Sequence, residues 1–382
     1  MKKEKFMNID REYQICTRCV MDTTDSEIVF DKNGHCNHCT NALKLKENEV
    51  YVPGVSEKKW KQIVFNIKSK SKGKKYDCLM GVSGGVDSSY AVYLAVQSGL
   101  RPLLMHMDNG WDSEIAVQNI KNLVDGLGLD YISEVLDWNE FREVQLAFLK
   151  SSSVDLEIPT DVGILASTYQ NTAKYGLNYI ISGGNASGEA IHPLTWGYHR
   201  MRDMSYYKGI VKKFGNVQLK NVPHTGVWKE MYYKFVKDIR TIYILNYFDY
   251  NKDVARTFLR DNFNWKDYGG KHHESKITAF WQGYVMPTKF NMDYRRKTYS
   301  SQICAGQLSR DEALKLLEEN VINWELVDEQ KKYIAKKYNI SLEELNSYLD
   351  LPPKTYKDFP NSKWIIDFLF TCYKRIFKNK RL

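Results

Sequence analysis

Seven consecutive residues, Ser83-Gly84-Gly85-Val86-Asp87-Ser88-Ser89, combine two adjacent glycines, three hydroxyls and a carboxylate. Glycine accepts positive φ and lets main-chain N–H groups come close to a ligand. An apolar run, YDCLMGV, precedes the stretch and a helical pattern, YAVYLAV, follows it. The loop therefore opens onto a helix N-terminus, with its unpaired N–H donors and the positive end of its dipole. Such a nest suits an anion with several oxygens, such as pyrophosphate. Ser83, Gly84, Gly85, Ser88 and Ser89 are the expected phosphate contacts. Asp87 is too acidic to face phosphate unless a cation intervenes, so it is the candidate Mg2+ ligand; capping the following helix is the alternative. The string is neither a Walker A loop nor GxGxxG.

A second constellation lies upstream. Cys16-x2-Cys19 and Cys36-x2-Cys39 are separated by sixteen residues, the spacing of a four-cysteine zinc site. Four thiolates complete a tetrahedral Zn2+ and leave no open position, so the role is structural. So short a region could hardly bury enough core to fold alone without such a staple. Gly34 is placed to help the second turn. Two disulfides or an iron–sulfur cluster are the alternatives, and His35 and His38 lie close enough in sequence to substitute as ligands. Cys78, Cys304 and Cys372 read as inert thiols.

Other candidates sit where strands end. HMDNG places Met107 and Asp108 at a carboxyl strand end, where open α/β sheets bind ligands; Asp108 is expected near the nucleotide, with a turn role as the alternative. SGGNASGE, Ser182 to Glu189, follows the run LNYII. It offers Gly183 as a second close-approach glycine and Glu189 as a second Mg2+ ligand, or as a solvated loop carboxylate.

The elements that must position these groups are strands at YDCLMGV, RPLLMHM, LDYISEVLD and LNYIISGG, alternating with helical segments. That rhythm predicts an α/β fold with a doubly wound parallel sheet. The expected division is a zinc-binding region over 1–50, a helix and linker over 51–75, a nucleotide-binding domain with insertions over 76–300, and a helical region over 301–382. Residues 192–299 are aromatic-rich and show no clear period. Ser309/Glu312 and Ser341/Glu344 fit capping boxes. The net charge of +9 is concentrated at the C-terminus: five cations and no acid lie in the last twelve residues, leaving 50 against 46 elsewhere. A nearly neutral body disfavours an extended nucleic-acid surface. No apolar run spans a bilayer and no secretory leader is visible, so the expected location is cytoplasmic.

SGGVDSS resembles the PP-loop of the ATP pyrophosphatase superfamily, which cleaves ATP between its α and β phosphates. CTRCVMDTTD, ISGGNASGE, GGKHHES, PTKFNMDYRR and SSQICAGQLSRDEA are similar to stretches of the N-acetyl sugar amidotransferase family of bacterial surface-polysaccharide and flagellin-glycan biosynthesis. The likeness runs in order from about residue 13 to 315. It departs at His273, where an aromatic is expected. The resemblance implies ATP and Mg2+ as cofactors and a nucleotide-linked N-acetyl sugar as substrate, its acetamido group becoming acetamidino. It also implies ammonia from a separate glutaminase subunit, with a cyclase-like barrel protein as conduit. Lys271 and Arg295 or Arg296 are then candidates to neutralise pyrophosphate or the substrate's diphosphate. His272 and Glu274 are candidates to orient the acetamido group or relay a proton. Each has a structural or surface alternative.

Two other functions fit the loop: a tRNA thiolation or modification enzyme, and a non-catalytic nucleotide-binding scaffold for a glutaminase. The tail KWIIDFLFTCYKRIFKNKRL mixes apolar residues with cations. A packing helix is its plain reading, and weak contact with an anionic membrane surface or docking on a partner is the other.

Overall fold

The computed structural model describes residues 12–49, 51–197, 200–269 and 274–376. Five strands form one parallel sheet: β1 (Cys78–Gly81), β2 (Pro102–Asp108), β3 (Tyr131–Val135), β4 (Tyr179–Ser182) and β5 (Arg240–Tyr243), in the order β3-β2-β1-β4-β5. The register sets Leu79 beside Leu103 on one side of β1 and beside Ile180 on the other. Leu79, Leu103, Leu104 and Ile181 are buried, as a parallel sheet covered on both faces requires. The chain leaves β1 towards β2 and later adds β4 on β1's other flank, so the strand order reverses beside β1. A crevice opens at such a switch point, outside the carboxyl ends of the strands.

The four strands read from apolar runs are present. β5 was not anticipated: it is an edge strand whose burial is confined to Ile242, so its four residues carry no apolar run. It falls in the stretch without clear period, together with a turn of π-helix at Trp281–Val285.

Helix α1 (Asn37–Glu49) belongs to the cysteine module, while α2 (Ser56–Lys70), α3 (Val86–Gln97), α4 (Glu114–Leu127), α5 (Trp138–Ser151) and α6 (Ile158–Lys174) carry the crossovers and flanks of the sheet. α2 buries Trp60, Ile63 and Ile67 in the core that also holds Met80, Val92 and Ile181, and Trp60 Nε1 donates to Ser98 Oγ at 2.7 Å. α4 begins where the Ser113 hydroxyl accepts from Ala116 N at 3.2 Å, and ends at Gly128 in the left-handed conformation, the usual start and stop signals.

A helix at Arg295–Ala305 runs through residue 300, the expected domain boundary. Beyond it the chain is helical, and both capping boxes are formed, at Ser309/Glu312 and Ser341/Glu344. The C-terminal helix, Lys363–Ile376, docks through buried Ile366 and an Arg200–Asp367 ion pair at 2.7 Å. Trp364 and Phe368 remain exposed on it; residues 377–382 lie outside the described residues. No described helix is long and apolar enough to cross a membrane.

Candidate active site

The switch-point crevice is a cavity of about 490 Å³, within the range that takes a nucleotide-sized ligand. The glycine loop forms one wall. Gly84 has φ +78°, and a Cβ there would meet the Ala116 carbonyl oxygen at 2.3 Å, so only glycine fits against α4. Its carbonyl oxygen is pinned from two sides, by Trp265 Nε1 at 2.9 Å and Asn119 Nδ2 at 3.2 Å. Both holders are absent from the sequence reading, because a buried Trp or Asn gives no sign of its acceptor. Gly85 precedes α3, whose first turn has no side-chain cap. Its N–H donors are thereby left for an anion. Ser83 and Ser88 face each other, hydroxyl to hydroxyl, at 3.3 Å on the cavity wall.

Ser89 does not belong to that wall. Its hydroxyl is buried without a partner among the described residues, because one more residue along α3 turns it into the core. Gly183 lines the cavity and also meets α3: a Cβ there would lie 2.8 Å from Asp87 O and Ser88 Cα. Asp87 lines the cavity and accepts from the Tyr250 hydroxyl. Glu189 lines it too. Met107 reaches it, whereas Asp108 accepts from Gly110 N at 2.8 Å, the turn role.

Arg295 is not in the cavity. It is held by Asp293 at 2.8 Å and donates to the Leu316 and Glu319 carbonyls at 3.1 Å, closing the C-terminus of the Arg310–Glu318 helix. Arg296 pairs with Asp22 at 3.0 Å and donates to Val20 O at 2.9 Å. A cation's sequence position does not distinguish a phosphate partner from a carbonyl partner. Lys271, His272 and His273 lie outside the described residues. Glu274 lines the cavity, with Oε1 3.7 Å from the position a Cβ on Gly85 would take.

Among the described residues the lining carries six acids, Asp87, Asp112, Glu157, Asp161, Glu189 and Glu274, against Lys252 and His106. Triphosphate could enter such a field only with a cation. No three of these carboxylates converge on one point among the described residues. The donor set fits Mg2+ in the form that takes one or two carboxylates and completes its shell with phosphate oxygens and water. His106 sits between Asp112 (2.9 Å) and the Val82 carbonyl (2.9 Å). Burial alone would lower its pKa, but the hydrogen bond and charge of Asp112, with the Val82 carbonyl and Asp108, outweigh that and the net shift is upward. Burial pushes the Glu157 carboxyl up to about 8, with Asp161 and Glu274 adding like charge against the Thr278 hydroxyl.

The cysteine quartet sits in a core of its own, with Ile191, Trp196 and Cys304. All four side chains are buried and their sulfurs lie within 4.8 Å of one another. The Cys16–Cys39 and Cys19–Cys36 sulfurs are 3.7 and 3.6 Å apart, far from a disulfide and close to the roughly 3.8 Å edge of a tetrahedron with Zn–S near 2.3 Å. Main-chain N–H groups of Cys19 and Cys36 donate to Cys16 Sγ at 3.4 and 3.2 Å, stabilising thiolate. His35 and His38 are engaged instead by Arg18 (2.6 Å) and by Asp25. Gly34, at φ +76°, makes the second turn against Thr17. The quartet fits one tetrahedral metal ion.

Several known proteins are similar. A protein of Methanocaldococcus jannaschii, MJ1599, is 26% identical over 191 residues, 50% of this chain. The match spans 62% of that relative, less than two thirds of its length. NH3-dependent NAD synthetase from Campylobacter jejuni aligns with 68% of this chain and 94% of its own at 15% identity and a TM-score of 0.30. NMN synthetase from Francisella tularensis aligns over 62% and 95% at 17% identity and 0.27. A predicted subunit of tRNA methyltransferase from M. jannaschii aligns over 47% and 74% at 15% identity and 0.26. Scores this low leave the strand order itself as the ground for the fold. Residues 274–373 match the family of the LPS biosynthesis protein WbpG-like, C-terminal domain, and the first part of that match, through Glu274, Ser275, Thr278 and Gln282, lines the cavity beside the glycine loop.

Proposed function

We propose that this chain is an ATP-dependent amidotransferase of lipopolysaccharide or flagellin-glycan biosynthesis. It would adenylate the acetamido oxygen of a nucleotide-linked N-acetyl sugar and replace that oxygen with ammonia, giving an acetamidino sugar. One observation carries the reading: a segment matching an LPS-biosynthesis domain and a phosphate-nest loop wall the same cavity.

An amide carbon is a poor electrophile and its oxygen a poor leaving group; transfer of AMP to that oxygen corrects both. In this scheme the first-turn N–H groups of α3, with the Ser83 and Ser88 hydroxyls, grip the β and γ phosphates. Asp87 and Glu189 would hold Mg2+, which neutralises charge on the departing pyrophosphate. Lys252, at the cavity wall, takes the cationic part first expected of Arg295. Glu274, beside Gly85, orients the acetamido group. The zinc-type quartet stays structural. Ammonia would come from a separate glutaminase subunit through a barrel-type conduit, shielded from water and protons.

The test incubates the protein with ATP, Mg2+, an ammonium salt and a panel of UDP- and CMP-linked N-acetyl sugars, followed by mass spectrometry. AMP, pyrophosphate and a sugar that has lost an oxygen and gained an NH are expected. Tight, salt-sensitive tRNA binding with no sugar product would instead establish the tRNA-modifying alternative.

A further inference from the structure

Glu157 was not singled out in the sequence, where it stands in the run DLEIPTD ahead of a proline. In the fold it ends the loop before α6 and lines the cavity. One carboxylate oxygen, Oε2, accepts from Thr278 Oγ1 at 3.0 Å. The other, Oε1, is sealed from solvent and meets no hydrogen-bond partner among the described residues. A carboxylate oxygen left so is costly, and its cost disappears when an N–H or a proton is delivered to it. Among the described residues the charged groups acting on Glu157 are both acids, Asp161 from α6 and Glu274 from the family-matched segment. Tyr294, before the Arg295–Ala305 helix, and Tyr338, at the end of the Trp324–Tyr338 helix, face it as well. Thr278 and Glu274 belong to the wall that meets the glycine loop, so Glu157 lies on the side where an adenylated acyl group would stand.

We infer that Glu157 is a catalytic base for the amide-to-amidine step: it takes the proton that ammonia must shed after it attacks the adenylated carbon. The inference rests on the amidotransferase reading above. The step balances as follows. The ammonia lone pair forms the new C–N bond while the C=N π pair of the O-adenylylated amide moves onto the sugar nitrogen, giving a tetrahedral adduct whose ammonia-derived nitrogen is cationic. An N–H bond of that nitrogen breaks and its proton passes to Glu157. The C–O bond to AMP then breaks, its electron pair leaving on the phosphate oxygen, and the product departs as an amidinium. A carboxyl raised to about 8 is far better matched to an ammonium-type acid than an exposed glutamate near 4.3. The neighbouring acids that raise it also draw ammonium towards the spot.

Two measurements test this. Difference infrared spectra of the wild-type protein against Glu157→Gln, from pH 5 to 10, should show a protonated carboxyl band that titrates near 8. Thr278→Val, which removes a hydrogen bond to the ionised form, should move that titration upward. A band gone by pH 6, or none, overturns the proposal. With a sugar that supports ATP–pyrophosphate exchange, amidine formed per exchange event at fixed free ammonia should rise with pH through about 8 in the wild type. In Glu157→Gln the ratio should fall at least ~100-fold and lose that pH dependence. An unchanged ratio overturns the role of Glu157 alone. Failure of the wild type to exchange with any sugar overturns the amidotransferase reading and this role with it. Thermal melting identifies a Glu157→Gln protein that fails to fold; the Thr278→Val shift then decides.

Discussion

The main-chain N–H of Val20 donates to the Ser300 hydroxyl at 3.1 Å, joining residues 280 positions apart. Arg310 reinforces the junction, its Nε donating to the carbonyls of Cys16 (3.1 Å) and Cys19 (3.2 Å). The cysteine module thus clasps the helix Arg295–Ala305. That helix follows Tyr294, a cavity residue, and packs on the short helix Ala186–Glu189. The four cysteines line no part of the described cavity, yet their module is joined to two of its walls.

Stripping the metal should therefore abolish activity without any cysteine touching substrate. Elemental analysis is expected to find zinc equimolar with the chain. Cys36→Ser should lose it, together with amidine formation and several degrees of melting temperature. Activity retained by a metal-free protein would refute the coupling.

Gly84→Ala should be severe. The left-handed conformation alone costs an alanine about 1–3 kcal/mol, and the Ala116 carbonyl forces a further shift of main chain. Calorimetry should show a lowered melting temperature and loss of ATP binding. Normal ATP affinity in this variant would remove the loop from the phosphate site.

Asp87→Asn should keep the fold, since Tyr250 can still donate to the amide oxygen. ATP–pyrophosphate exchange should nevertheless fall on the order of 10²-fold or more, with a raised requirement for Mg2+. An unaltered Mg2+ dependence would return Asp87 to a structural part.

His106 faces acceptors on both ring nitrogens, Asp112 and the Val82 carbonyl, which only the imidazolium satisfies with two N–H groups. Its pKa is raised on folding. The stabilisation is therefore fully present below the unfolded value of about 6.5 and is lost as pH rises through the higher folded value. Melting temperatures between pH 6 and 9 should show this decline on top of the one contributed by the raised Glu157 carboxyl, and Asp112→Asn should make it shallower. A wild-type profile that rises over this window would contradict the contact.

Arg295→Ala should lower stability by about 1–3 kcal/mol, through the orphaned carbonyls of the Arg310–Glu318 helix and the unpaired Asp293. The KM for ATP should be little altered. A selective rise in that KM would restore Arg295 to the phosphates.

Strands β1, β2 and β4 were legible because a parallel sheet buried on both faces must be written as unbroken apolar residues. β5 was not, since an edge strand needs no such run. The quartet and the glycine loop were legible because ligand spacing and main-chain approach are local properties of the chain. Glu157, Asn119 and Trp265 were not: what makes each one matter is an acceptor, a donor or a void supplied by residues far along the sequence. Arg295 misled for the same reason, as a guanidinium beside a phosphate and one beside helix carbonyls are spelled alike.

The clasp between the quartet and the Arg295–Ala305 helix bears on how such a chain can diversify. Exchanging residues 274–373 between relatives would separate each helix from the cysteine module packed against it. Productive hybrids should inherit both ends from one parent, leaving the sheet between them as the freely interchangeable part.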